Sequence, residues 1–236
     1  MLSHQERGLK KIWLEMANYD NNICTFCNLY LDLGEAACPQ CHQSLVSDAQ
    51  DAIAIWRLGE IEDGLLGPIC SGLREIFNRK IVIQPAFIDE RSSIRSSWNG
   101  ISSVVFLNQI RRRHRKGVFV NLGVTSSNVV PDSRHNFLFG QAYMGLPAAV
   151  LSLHPLSIDA PSPELLAERA LKIAVHEIGH TLGLDHHSYD EDAHCCMTGD
   201  EEIDSLEGVD EGSELFCQKC QKQIARFRYQ AEEKNR

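Results

Sequence analysis

A chain of 236 residues can bury one domain well and carry a small satellite, but it is too short for several full-sized domains. Its 43% hydrophobic and 23% charged residues suit a soluble globular protein, and no apolar run reaches the roughly 18 residues of a membrane span. A formal net charge of −9 opposes broad attraction to nucleic acid or anionic lipid, so neither is the expected partner.

The opening stretch, MLSHQERGLKKIWLEMANYD, mixes charges with Leu2, Leu9, Ile12, Trp13 and Met16 at roughly helical spacing. It lacks the apolar core of a secretory signal. The segment CTFCNLYLDLGEAACPQC follows, with Cys24/Cys27 and Cys38/Cys41 as two CxxC knuckles and Gly34 and Pro39 at turn positions. Four thiols so spaced read as a zinc ribbon, with thiol exchange as the rival chemistry. Of the nine cysteines only Cys70 stands alone, since Cys195/Cys196 and Cys217/Cys220 complete the pairs. Close thiol pairs without an export signal point to metal ligands in a reducing compartment, so the cytoplasm is the expected location. The polar stretch HQSLVSDAQD places a boundary near residue 48, giving residues 1–48 as helix and ribbon and residues 49–236 as the main domain.

Beyond the boundary, short β-branched runs alternate with helical ones. AIAIWRL, KIVIQPAF, VFVNLGVT, NFLFGQAYMG and AAVLSL read as strands; GLLGPICSGLREIFNR and SSVVFLNQIRRR read as helices. This order predicts an α/β sheet. Ser162 as N-cap and Pro163 at the first helical position announce a further helix, ELLAERALKIAVHEIGHTLG, and a last one is expected from about Glu214 to Glu232. Cys70, in an apolar helical stretch, reads as a small buried hydrophobe. RRRHRK at 111–116 reads as a solvated helix end that complements the helix dipole, rather than a nucleic-acid patch.

The chemistry sits in the long helix. His176, Glu177 and His180 form HExxH, and a four-residue separation puts both imidazoles on one face, one turn apart. Gly183 permits the left-handed turn that sends the chain back, so that His186 can be the third ligand of a site still open to water. By accident, HExxHxxGxxH should arise at roughly 10⁻⁴ per chain of this length and composition, which sets aside the reading of ordinary helix histidines. Three neutral imidazoles leave a zinc ion its full charge, so a bound water becomes acidic near neutral pH, and Glu177 can take its proton and deliver it to a leaving amine. The extended motif with a later methionine turn is the metzincin signature, which makes Met197 the candidate apolar floor under the ligands.

At this point the chain resembles the archaemetzincins, a metzincin branch in which the third histidine is followed by cysteine, a Cys-x-Met element and a later CxxC. The resembling residues are HEIGHTLGLDH, then Cys195-Cys196-Met197, then FCQKC ending at Cys220, with RHNFLFGQAYMGLPAAVLSL upstream at 134–153. The resemblance spans about residues 52–225. It implies a metzincin-type zincin domain: a mixed, mostly parallel twisted sheet with an active-site helix, and a second, structural zinc site of four ligands beside the catalytic one. It also implies that the strand around Asn136 to Gly140 is an edge able to pair with an extended peptide, although it reads equally as an ordinary sheet edge. Two departures stand out. His187 occupies the place of the usual first cysteine, and the spacer before Cys-x-Met is longer, SYDEDAHC. Zinc accepts imidazole in place of thiolate, so a cluster of His187, Cys195, Cys217 and Cys220 is expected, with His194 and Cys196 as rivals for the fourth place.

The expected function is hydrolysis of a peptide or protein substrate by a zinc peptidase holding one catalytic and two structural ions. The rival of another class is an inactive zinc-ribbon adaptor for protein or nucleic acid, against which the intact Glu177 argues. Natural substrate, aminopeptidase or endopeptidase preference, the role of the ribbon and oligomeric state have no signature in these residues.

Overall fold

A computed structural model describes residues 51–84, 100–114, 117–131, 137–188, 194–199 and 205–233, with side chains as far as 226. Cys24, Cys27, Cys38 and Cys41, and the boundary near residue 48, lie outside the described residues.

The main sheet is built from β1 (Ala52–Arg57), β2 (Lys80–Gln84), β4 (Val120–Thr125), β6 (Gly140–Ala142) and β7 (Ala148–Ser152), in the order β2-β1-β4-β7-β6. The first four strands run parallel, and β6 lies antiparallel to β7 at the edge. This is the mixed, mostly parallel sheet expected. Both faces of its middle are covered, and the period of two along each strand sorts the side chains between them. Ile53, Ile55, Val120, Leu122, Val124, Ala149 and Leu151 join one core, beneath helices α1 (Asp63–Phe77) and α4 (Pro163–Thr181). Trp56, Ala148 and Val150 join the other, beneath α2 (Ser103–Arg112).

Polar groups on that second face find partners inside. The Trp56 indole N–H donates to Asn121 Oδ1 at 2.9 Å, and Asn121 Nδ2 reaches His114 Nδ1 at 2.8 Å. Burial holds the His114 imidazole well below its usual value, at about 4, so the ring stays neutral and can accept from the amide.

Several boundaries differ from expectation. Of the expected strand KIVIQPAF, Lys80–Gln84 is strand, and the last three residues lie outside the described residues. The expected edge strand at Asn136 to Gly140 begins only at Gly140; Leu138 instead bridges Val129, against a two-stranded sheet of β3 (Ile101–Ser102) and β5 (Val129–Val130). Two short helices were not foreseen, α3 (Leu153–Leu156) and α5 (Leu206–Glu211). The last helix, α6 (Gln218–Glu233), starts four residues later than expected from Glu214. The backbone before it is engaged elsewhere, since Leu215 O accepts from Cys196 N at 2.7 Å and Cys217 N donates to Cys195 Sγ at 3.3 Å. A segment tied to Cys195 and Cys196 in this way cannot also be helix.

Cys70 is buried in the first core.

Candidate metal centre

Helix α4 carries the first cluster. Ser162 Oγ accepts from Leu165 N at 3.2 Å, and Pro163 occupies the first turn, where a missing N–H costs nothing. At the other end Gly183 takes φ 76°, its N–H donates to His180 O at 2.9 Å, and Leu184 N–H reaches Gly179 O at 3.1 Å. That pair of bonds is a Schellman closure, and it turns the chain so that His186 returns to the helix.

The result is a convergence of three ring nitrogens. Nε2 of His176, His180 and His186 lie 3.0 Å from one another in all three pairings. The edge of a tetrahedron built on Zn–N bonds of about 2.05 Å is roughly 3.3 Å, so the triangle fits zinc to within a few tenths of an ångström. The far nitrogens settle the tautomers. His176 Nδ1 donates to Cys196 O at 2.7 Å and His180 Nδ1 to Leu184 O at 2.8 Å, since a carbonyl can only accept. Each Nε2 is then bare and faces its neighbours, as a ligand must. Burial, then the nearby His180, holds the His176 imidazole at about 3, and burial lowers His180 too. His180 and His186 are only half-buried, which leaves one side of the triangle open.

Glu177 lies against the edge strand. It is 6% exposed, and its Oε2 has no hydrogen-bond partner among the described residues. Burial raises its carboxyl to about 8. A divalent cation nearby opposes that shift, so the ligand triangle and the carboxylate suit each other electrostatically.

Met197 is fully buried beneath the helix. A Cβ added at Gly179 would meet Met197 Sδ at 2.5 Å and Phe216 Cε1 at 3.1 Å. The glycine inside HEIGH thus admits the methionine and Phe216 against the helix. Phe216 in turn meets Phe77 of α1 edge-on, at 5.8 Å between centroids. The sequence reading missed Phe216; its place directly before Cys217 was the available signal.

The second cluster joins His187, Cys195, Cys217 and Cys220, whose ligand atoms all lie within 4.8 Å of one another. Cys195 Sγ is 3.8 Å from Cys220 Sγ, and His187 Nε2 is 3.7 Å from Cys217 Sγ. Tetrahedral zinc with Zn–S bonds of about 2.3 Å calls for S···S edges of roughly 3.8 Å and S···N edges of roughly 3.6 Å. The donor set therefore fits. Cys195 Sγ also accepts from the N–H groups of Met197 at 3.5 Å and Cys217 at 3.3 Å. A hydrogen bond from Cys196, followed by those N–H groups, holds the Cys195 thiol well below its usual range, toward thiolate. Burial pushes the Cys196 thiol far up; its sulfur is not in the group, and its side chain packs in the first core. His194 is exposed and likewise outside the group.

A sheet of this topology, with an HExxHxxGxxH helix facing its edge strand and a methionine beneath, defines a zinc metallopeptidase. The sequence model of Peptidase family M54 matches residues 107–226. The archaemetzincin of Archaeoglobus fulgidus is 33% identical over 156 residues, 66% of this chain and 88% of that protein. Its crystal structure, solved with malonate, superposes with a TM-score of 0.61 at 31% identity, covering 73% of this chain and 99% of that one. The archaemetzincin of Methanopyrus kandleri gives a TM-score of 0.63 at 28% identity, over 78% and 98%. The chain belongs to Peptidase family M54, the archaemetzincins. Among the described residues no helix is long and apolar enough to cross a membrane.

Proposed function

We propose that this chain hydrolyses peptide bonds with one zinc ion held by His176, His180 and His186, and with Glu177 as general base and then general acid. The observation that carries the reading is the meeting of three imidazole Nε2 atoms at 3.0 Å beside a buried carboxylate, one oxygen of which has no hydrogen-bond partner among the described residues. Zinc, when bound, supplies Lewis acidity: it polarises the scissile carbonyl and acidifies water near neutral pH.

The chain's own residues do the rest. Among the described residues strand β6 ends the sheet, so an extended substrate can add to its outer edge and bring its backbone alongside Glu177. Glu177 takes a proton from the attacking water as its oxygen bonds to the carbonyl carbon. The same carboxyl then passes that proton to the amine as the C–N bond breaks. The carbonyls of Cys196 and Leu184 keep the proton of His176 and His180 on Nδ1, so both rings stay oriented through the cycle. Met197 and Phe216 exclude water from beneath.

A second, structural zinc held by His187, Cys195, Cys217 and Cys220 is part of this proposal, as is a third in the ribbon of Cys24, Cys27, Cys38 and Cys41. The paired thiols favour a cytoplasmic setting. The test is Glu177→Gln, which should retain the full zinc content and lose about 10²-fold or more in peptide cleavage. Cleavage at the wild-type rate would refute the assignment of the base.

A further inference from the structure

We infer that Gly140 is a positioning residue for the general base, its missing side chain being what admits the Glu177 carboxylate to the edge of the sheet; this rests on the reading of Glu177 given above. Gly140 opens β6 and pairs with Leu151 of β7. A Cβ built there would lie 2.6 Å from Glu177 Cγ, 2.7 Å from Oε1 and 2.9 Å from Cδ, and these are the three nearest atoms it would meet. Real Cβ atoms do not come so close, so any other residue at 140 forces the Glu177 side chain to move.

The backbone does not require the glycine. Gly140 is absent from the glycines with positive φ, so an L side chain suits its conformation. Strands also disfavour glycine, which adds chain entropy to the unfolded state and nothing to the packing. The residue that needs the space is the carboxylate. Glu177 in turn is buried and held on one side by the strand, so its oxygens have few alternative positions. With only a hydrogen at 140, the carboxylate lies close against the strand whose outer edge is proposed to receive the substrate. The carboxylate and a carbonyl paired to that edge are then brought together by one element.

The experiment is Gly140→Ala in the full, zinc-loaded chain, alone and combined with Glu177→Ala, beside Glu177→Gln. A methyl group that displaces the carboxylate by most of an ångström should lower kcat by about 10- to 100-fold with KM changed less than about two-fold, and the zinc content should be unchanged. The variant should melt about 2–6 °C lower from overpacking. That thermal cost should vanish when Glu177 is Ala, because nothing then occupies the space. Should the single variant fail to fold, recovery of folding on adding Glu177→Ala is the same result in stronger form. Wild-type kcat in Gly140→Ala, with Glu177→Gln inactive, overturns the positioning role and leaves the base assignment standing. A thermal cost that persists in the Glu177→Ala background overturns it as well. An active Glu177→Gln removes the base itself and the inference with it.

Discussion

Removing the Asp210 carboxylate tests what holds the active-site helix to the rest of the domain. Arg169 lies on α4 nearly two turns before His176, and its side chain is 5% exposed. Its guanidinium donates to Asp210 Oδ1 at 2.6 Å and Oδ2 at 2.7 Å, and to the carbonyls of Leu156 at 3.1 Å and Ile158 at 3.0 Å. One side chain thus joins α3, α4 and α5. Asp210→Ala leaves the buried guanidinium with two neutral acceptors only. Each charge-assisted bond is worth about 1.5–3 kcal/mol when fully buried, but the Asp210 side chain is 39% exposed and water can replace part of it. The expected loss is therefore about 2–3 kcal/mol, or a Tm lower by roughly 5–10 °C for a domain of this size. Peptide cleavage at 25 °C should change less than about two-fold, because no ligand moves. The pH dependence follows from the carboxyl, which Arg169 holds below its ordinary value. A depressed carboxyl contributes stability above its unfolded value of about 3.9 and loses it as pH falls through the lower folded value. The Tm gap between wild type and variant should be constant from about pH 5 to 8 and close below about pH 4. Differential scanning calorimetry across that range measures it. A gap under about 2 °C, or one unchanged at low pH, would refute the clamp.

Two further outcomes concern metal. Protein purified without added zinc should carry between two and three equivalents, and Cys24→Ser with Cys27→Ser should lose one without slowing cleavage; one equivalent or none in the wild-type chain would defeat the ligand assignment. His187→Ala should lose one zinc and melt several degrees lower, whereas Cys196→Ser should keep all its zinc; the opposite pattern by metal analysis and thermal melting would move the fourth ligand to Cys196.

Much of the main domain could be read from local chemistry. The short apolar runs of β1 and β4, buried along nearly their whole length, and the Ser162–Pro163 start of α4 follow from short-range rules, so their elements lie where the pattern indicated. Boundaries failed where long-range contacts decide. Glu214, Leu215 and Phe216 have no intrinsic objection to helix, but Leu215 O is taken by Cys196 N, and the helix starts only at Gln218. The edge strand shifted for a similar reason: Leu138 pairs with Val129 in a second sheet whose two-residue strands leave no periodic trace. Around the first cluster, the ring-bearing residues were visible as a spacing. The carbonyls of Cys196 and Leu184, the packing of Phe216 on Gly179 and the close approaches at Gly140 and Gly179 were not, since a backbone oxygen or a missing Cβ has no signature until its partner is known.

The two clusters are built from the same short stretches of chain. His186 and His187 are consecutive, and His187 forms a bridge with Thr198: its N–H donates to Met197 O at 3.1 Å, and its own O accepts from Gly199 N at 3.1 Å. Successive side chains on extended backbone point opposite ways, which is how one ring joins the histidine triangle and the next joins the thiols. Across the bridge, Cys195 lends its sulfur to the second cluster, Cys196 lends its carbonyl to His176, and Met197 fills the space under Gly179. This interlock explains why a histidine at 187 is compatible with an intact triangle. The imidazole reaches the thiols through Nε2, 3.7 Å from Cys217 Sγ, while its backbone keeps the bridge that any residue there would make. Exchange of thiolate for imidazole thus alters the charge of the second cluster but not the carbonyl that orients His176. What the triangle requires from position 187 is its backbone, and the side chain serves the second cluster, its other ring nitrogen meeting Thr198 Oγ1 at 3.3 Å.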